Sequence, residues 1–100
     1  MPTMKLSVPH KLGREEATSR LKNFIEQMKA QFGNQARNVK EAWNGSTGNF
    51  SFEVMGMAIS GVLNIEADHV LMEADYPFAA LPFKGKIEST AREKIISLLT

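Results

Sequence analysis

Apolar and polar residues alternate at the start of the chain. Met4, Leu6 and Val8 recur at period two within residues 3–8, which predicts a strand with one buried face. Pro9 ends it. The period then changes. Ala17, Leu21, Phe24, Ile25, Met28 and Phe32 recur at spacings of three and four, the signature of one amphipathic helix. Gly13 is its expected N-cap, with Glu15 and Glu16 near the positive end of the helix dipole, and Gly33 its C-cap. Arg14, Arg20, Lys22, Glu26 and Lys29 form a solvated face of mixed sign. After a connector at residues 34–36, four strands are predicted at 39–43, 49–54, 57–66 and 69–75. Asn44-Gly45 is a hairpin signal, and Gly56 and Ala67-Asp68 mark the next two turns. Gly61 falls on the apolar face of its strand, where a glycine marks a bulge or a close approach of another element. A second helix begins near Pro82, a residue suited to a first helical position, with Phe83, Ile87, Ala91, Ile95, Leu98 and Leu99 as its apolar stripe. Gly85 weakens its first turn.

The element order is therefore β-α-β-β-β-β-α. Clean alternation in the central strands leaves one sheet face buried and one polar, the pattern of an antiparallel sheet. Both helices carry a single apolar stripe and can cover that buried face. We expect a single α+β domain over residues 1–100, an antiparallel sheet with two helices packed on one face.

Composition narrows the function classes. A net charge of +1 provides no basic surface for nucleic acid. The absence of cysteine removes disulfides, thiolate catalysis and sulfur-ligated metals. No apolar run approaches the ~18 residues of a membrane helix, so no membrane span is expected. The first residues lack the apolar core of a signal peptide, which predicts a cytoplasmic protein. There is no phosphate-binding loop, no dinucleotide fingerprint and no G-x-S-x-G elbow around Ser51 or Ser60. A hydrolase or a nucleotide enzyme is disfavoured, no catalytic residue is assigned and no cofactor is expected.

The polar candidates are weak. His10, Lys11 and Arg14 can form a small anion site before the first helix, but no glycine-rich cradle accompanies them. A surface histidine in a basic loop is the preferred reading of His10. His69, beside Asp68 and Glu66, invites a general-base or metal role, yet it falls at a hairpin tip where polar residues are normal. Two histidines without ligand spacing make a metal site unexpected. Glu53, Glu73 and Asp75 belong to the outer sheet face, where open water removes any cause for shifted acidity. Glu41 shares a face with Val39 and Trp43. Burial there would demand a partner, and a position on an edge strand, which we expect, would remove the demand.

The apolar content is the better lead. Residues 76–82 are irregular, apolar and framed by Pro77 and Pro82. Tyr76, Phe78, Leu81 and Phe83 either fold over the end of the sheet to close the core or form a patch that binds a partner, a lipid-like chain or a polymer surface. Met55, before Gly56, is a second candidate for exposure. Ala42, Ala58, Val62 and Leu71 on the outer sheet face can stack two copies into a symmetric homodimer.

Several stretches carry a family resemblance. They are S-V-P-H-K-L-G-R-E-E-A (Ser7 to Ala17), A-Q-F-G (Ala30 to Gly33), W-N-G (Trp43 to Gly45), F-S-F-E-V-M-G (Phe50 to Gly56) and D-Y-P-F-A-A-L-P-F-K-G-K-I-E (Asp75 to Glu88). Together they resemble the polyhydroxyalkanoic acid system, or granule-region, family of small bacterial proteins. The resemblance implies proteins encoded with polyhydroxyalkanoate synthesis and utilisation genes, some of them associated with polyester storage granules. It implies no active-site residues. The build differs from that of phasins, the helical, low-complexity coat proteins of such granules. The resulting expectation is a non-enzymatic accessory or granule-associated binding protein. It would offer Tyr76, Phe78, Leu81 and Phe83 to the granule surface or to a granule protein. The alternative is a small acyl-ligand carrier or enzyme, in which the sheet and a helix enclose a pocket as in larger helix-grip folds.

Overall fold

The computed structural model describes residues 2–100, apart from the side chains of Gln31, Phe32 and Asn34; the expected place of Phe32 on the helical stripe lies outside the described residues. The chain runs β1 (Thr3–Pro9), α1 (Arg14–Leu21), α2 (Phe24–Phe32), β2 (Ala36–Asn44), β3 (Thr47–Val54), β4 (Met57–Ile65), β5 (His69–Asp75) and α3 (Lys84–Leu99). Short 3-10 segments occupy Gly33–Gln35 and Phe78–Phe83. The sheet order is β1-β5-β4-β3-β2, and every neighbouring pair is antiparallel. Four strands form a meander, and β1 closes onto its last strand. The α+β architecture expected from the alternation is the one observed.

Period-two patterning builds the buried face directly. Met4, Leu6 and Val8 lie opposite Ala74, Met72 and Val70, and all six are buried. Each large side chain so buried contributes about 1.5–3 kcal/mol relative to exposure. The helical stripes close this face from one side. Ala17, Leu21, Phe24, Ile25 and Met28 are buried from α1 and α2, and Ala91, Ile95 and Leu99 from α3. Phe24 meets Phe50 edge-on with ring centroids 5.8 Å apart, tying α2 to β3.

Two glycines on the sheet are filled by aromatic rings across the strand. Gly61 is register partner to Phe50, and Gly48 to Trp43. A Cβ on Gly61 would sit 2.6 Å from both Glu73 O and Phe50 Cζ. On Gly48 it would lie 2.8 Å from the Trp43 ring. The register through Gly61 is unbroken, so this glycine marks close approach of a ring rather than a bulge. The bulge lies instead on the edge strand β2, between Arg37 and Lys40, where Asn38 has φ 53°.

The single long helix predicted from the stripe is two helices. Asn23 adopts φ −91°, ψ 0°, and its N–H bonds Arg20 O in a tightened last turn. Asn23 O then accepts from Gln27 N–H to start α2. Asparagine competes with helix through its own side chain, which makes it a natural break point. The apolar spacing survives the break because both halves lie on the same sheet. At the other end, α3 starts at Lys84, two residues after the expected Pro82, which belongs to the preceding 3-10 segment.

Candidate functional site

The segment after β5 divides into inward and outward residues. Tyr76 N–H donates to Pro2 O at 3.1 Å, and the Tyr76 side chain is only 3% exposed. Ala80 N–H donates to Pro77 O at 2.9 Å, and Ala80 is fully buried. Tyr76 and Ala80 thus close the core, which takes Tyr76 out of any surface patch. Phe78 is 70% exposed, and Leu81 and Phe83 are each 45% exposed. In a 3-10 turn residues three apart eclipse one another, so Phe78 and Leu81 stand on one side. Large apolar groups grouped in one short segment mark an interaction surface more often than scattered ones do.

Phe83 faces a second feature. The β3–β4 turn carries Met55, 57% exposed, and the first turns of α3 carry Lys86 and the half-buried Ile87. Between them lies a groove of ≈ 310 Å³, floored by Val54, Met57 and Ile59, with Gln35 at its rim. The sequence flagged Met55, placed Phe83 both in the apolar patch and on the helical stripe, and placed Ile87 on the stripe alone. Their i, i+4 spacing beside a two-residue turn at Met55-Gly56 was the available signal. Lys86 was missed entirely.

The polar candidates assemble differently from expectation. His10 is buried, not a surface histidine. Its Nε2–H donates to Glu66 O at 3.0 Å, and Leu12 N–H donates to its Nδ1 at 3.2 Å. Both ring nitrogens are committed to holding the loop after β1 against the β4–β5 turn. Arg14 reaches Glu66 at 3.4 Å, and Lys11 is exposed. The His10 ring has no nitrogen left for an anion, and Arg14 already pairs with a carboxylate. Replacing His10 by alanine strands a part-buried carbonyl and a part-buried N–H, and is expected to cost about 1–2 kcal/mol. Urea denaturation checks this; an unchanged midpoint would show that water replaces the imidazole.

The two histidines distant in sequence are neighbours in space, because Pro9 pairs with His69. His69 Nδ1–H donates to Asp68 Oδ1 at 2.6 Å. That hydrogen bond first, and electrostatic attraction to the imidazole second, hold the exposed Asp68 carboxyl below its ordinary range. No group of three or more histidine or carboxylate side chains among the described residues is arranged to hold a metal ion.

The outer sheet face is open to water at Glu73 and Asp75, as expected, but less so at Glu53. Glu73 and Asp75 are exposed, Glu53 is half-buried, and Thr3 Oγ1–H donates to Asp75 Oδ1 at 2.7 Å. A shallow depression of ≈ 460 Å³ there is lined largely by Lys40, Asn49, Ser51, Ser60, Glu73 and Asp75. Ser51 and Ser60 face each other across the β3–β4 pair. Glu41 is exposed on the edge strand β2, so the question of its partner does not arise. Among the described residues no helix is long and apolar enough to cross a membrane.

The fold is a small antiparallel α+β structure with an apolar patch and groove beside its last helix. The chain belongs to the family described as "putative polyhydroxyalkanoic acid system protein", whose model matches residues 4–99. No curated protein matches the chain. Among solved structures, a protein of Nitrosospira multiformis shares the fold at 10% identity and TM-score 0.56, covering 99% of this chain and 97% of that one. A Thermus thermophilus protein gives 14% identity and TM-score 0.44, over 98% of this chain and 92% of that one. The protein Ara h 8.0201 gives 8% identity and TM-score 0.47, over 98% and 97% of the two chains.

Proposed function

We propose that this chain is a non-enzymatic accessory protein of polyhydroxyalkanoate metabolism that binds the storage-granule surface in the cytoplasm. Phe78, Leu81 and Phe83 make the contact. The observation that carries the reading is that these three side chains stay exposed although Tyr76 and Ala80 already complete the core beneath them. A chain gains nothing for its own stability from such exposure. Covering apolar area stabilises contact by about 25 cal/mol per Å² before the costs of association. Membership of the polyhydroxyalkanoic acid system family supplies the context in which an apolar polyester surface is the natural occupant.

Co-sedimentation with polymer granules, bare and carrying their protein coat, tests this. Binding to bare polymer is the expected result. Binding to coated granules alone would replace the polymer by a protein partner, and binding to neither would remove the reading.

A further inference from the structure

We propose that the groove between the β3–β4 turn and the start of α3 is a binding site for one medium-length carboxylic acid. Its chain lies against Met57, Ile59 and Ile87, and its carboxylate sits at Lys86. Three independent observations lead there.

The first is Met55. Val54 pairs with Met57, so Met55 and Gly56 alone make the turn, and both have positive φ, 52° and 79°. Such turns favour asparagine, aspartate or glycine at the first position. An unbranched apolar residue is strained there. With 57% of it exposed, Met55 is not compensated by burial in the core. Strain retained at a surface position points to use of the side chain. A thioether on a flexible stem suits a wall that must fit an apolar guest.

The second is size. A cavity of about 150 Å³ holds benzene, with six carbons. The groove, at ≈ 310 Å³, has room for roughly twice as many heavy atoms, about a dozen. That is a chain of about eight to ten carbons with its head group, at the small end of the range for ligand sites.

The third is charge. Among the described residues lining the groove, Lys86 is the one that is charged, Gln35 the one that is neutral and polar, and none is a carboxylate. An otherwise apolar groove with a single cation at its edge selects an anionic head on an aliphatic tail.

The inference deepens the function proposed above and rests on it for the physiological ligand, because polyhydroxyalkanoates are polyesters of hydroxy acids. The site itself is tested without granules, by methyl NMR titration with sodium decanoate and with 3-hydroxydecanoate. Saturable shifts confined to Met55, Met57, Ile59 and Ile87 are expected, with Kd between about 10 μM and 1 mM. Met55→Asn relieves the strained turn, so it should be at least as stable to heat while binding decanoate at least ~5-fold more weakly. Lys86→Met should weaken decanoate by about three- to five-fold and leave decanol unchanged. No saturable shift by about 5 mM, or shifts centred on Leu81 or on outer-face Leu71, would overturn the site. Phe78 and Leu81 do not line the groove. Loss of decanoate binding in Met55→Asn alongside full granule binding by Phe78→Asp/Leu81→Asp would therefore sink the granule reading and keep the groove.

Discussion

Gly61→Ala is expected to lower stability by about 2–3 kcal/mol, a fall in Tm of roughly 10–20 °C for a domain of this size. The added methyl meets a backbone oxygen, Glu73 O, at 2.6 Å, and that atom cannot move without breaking the β4–β5 ladder. On the other side it meets Phe50 Cζ at 2.6 Å. Pushing this ring away separates it from Phe24 at 5.8 Å and from Phe52 at 6.3 Å, so α2 loses its seat on the sheet. Gly85→Ala is the control. Nothing lies within 4 Å of a Cβ there, and alanine in the first turn of α3 should stabilise by about 0.5–1 kcal/mol. Thermal melts of the two variants should shift in opposite directions. A melt of Gly61→Ala within a degree or two of the parent would show that the packing of Phe50 against Gly61 is loose.

Phe78→Asp/Leu81→Asp is expected to weaken granule binding at least about 100-fold with little change in Tm. Both side chains project into solvent, and substitutions at such sites usually change stability by no more than about 0.5 kcal/mol. Removing a phenylalanine and a leucine from an interface forfeits about 3–6 kcal/mol of burial, and each aspartate adds a desolvation cost. Tyr76→Asp should behave in the opposite way, unfolding the domain, because Tyr76 is 3% exposed. Affinity from titrated co-sedimentation, set beside circular-dichroism melts, separates the two effects. If the double variant unfolds, Phe78 and Leu81 belong to the core in solution. If it folds and still binds, contact is made elsewhere.

The sheet was legible in the sequence because each strand alternates cleanly, and because the turns at Asn44-Gly45 and Gly56 have few other readings. The break at Asn23 was not. Periodicity reports the buried face, and that face is continuous across the break. His10 was misread for a related reason. Its two partners are main-chain groups, Glu66 O and Leu12 N–H, and no residue type in the sequence announces a backbone hydrogen bond. The division within residues 76–83 was half legible. Apolar composition singled out the segment; Tyr76 turns inward by continuing the alternation of β5, but only the 3-10 geometry sends Ala80 inward and Phe78 and Leu81 outward. The groove was least legible, since it joins Met55 to Phe83 and Ile87 across some 30 residues of chain.

Hydroxyl-radical footprinting of the protein bound to bare polyhydroxyalkanoate granules tests the central claim most directly. Phe78, Leu81 and Phe83 should be protected in the bound form, while Leu71 on the opposite face of the sheet, 38% exposed, keeps its reactivity. Protection of Leu71 with Phe78 and Leu81 still reactive would contradict the account and move the binding surface to the outer face of the sheet.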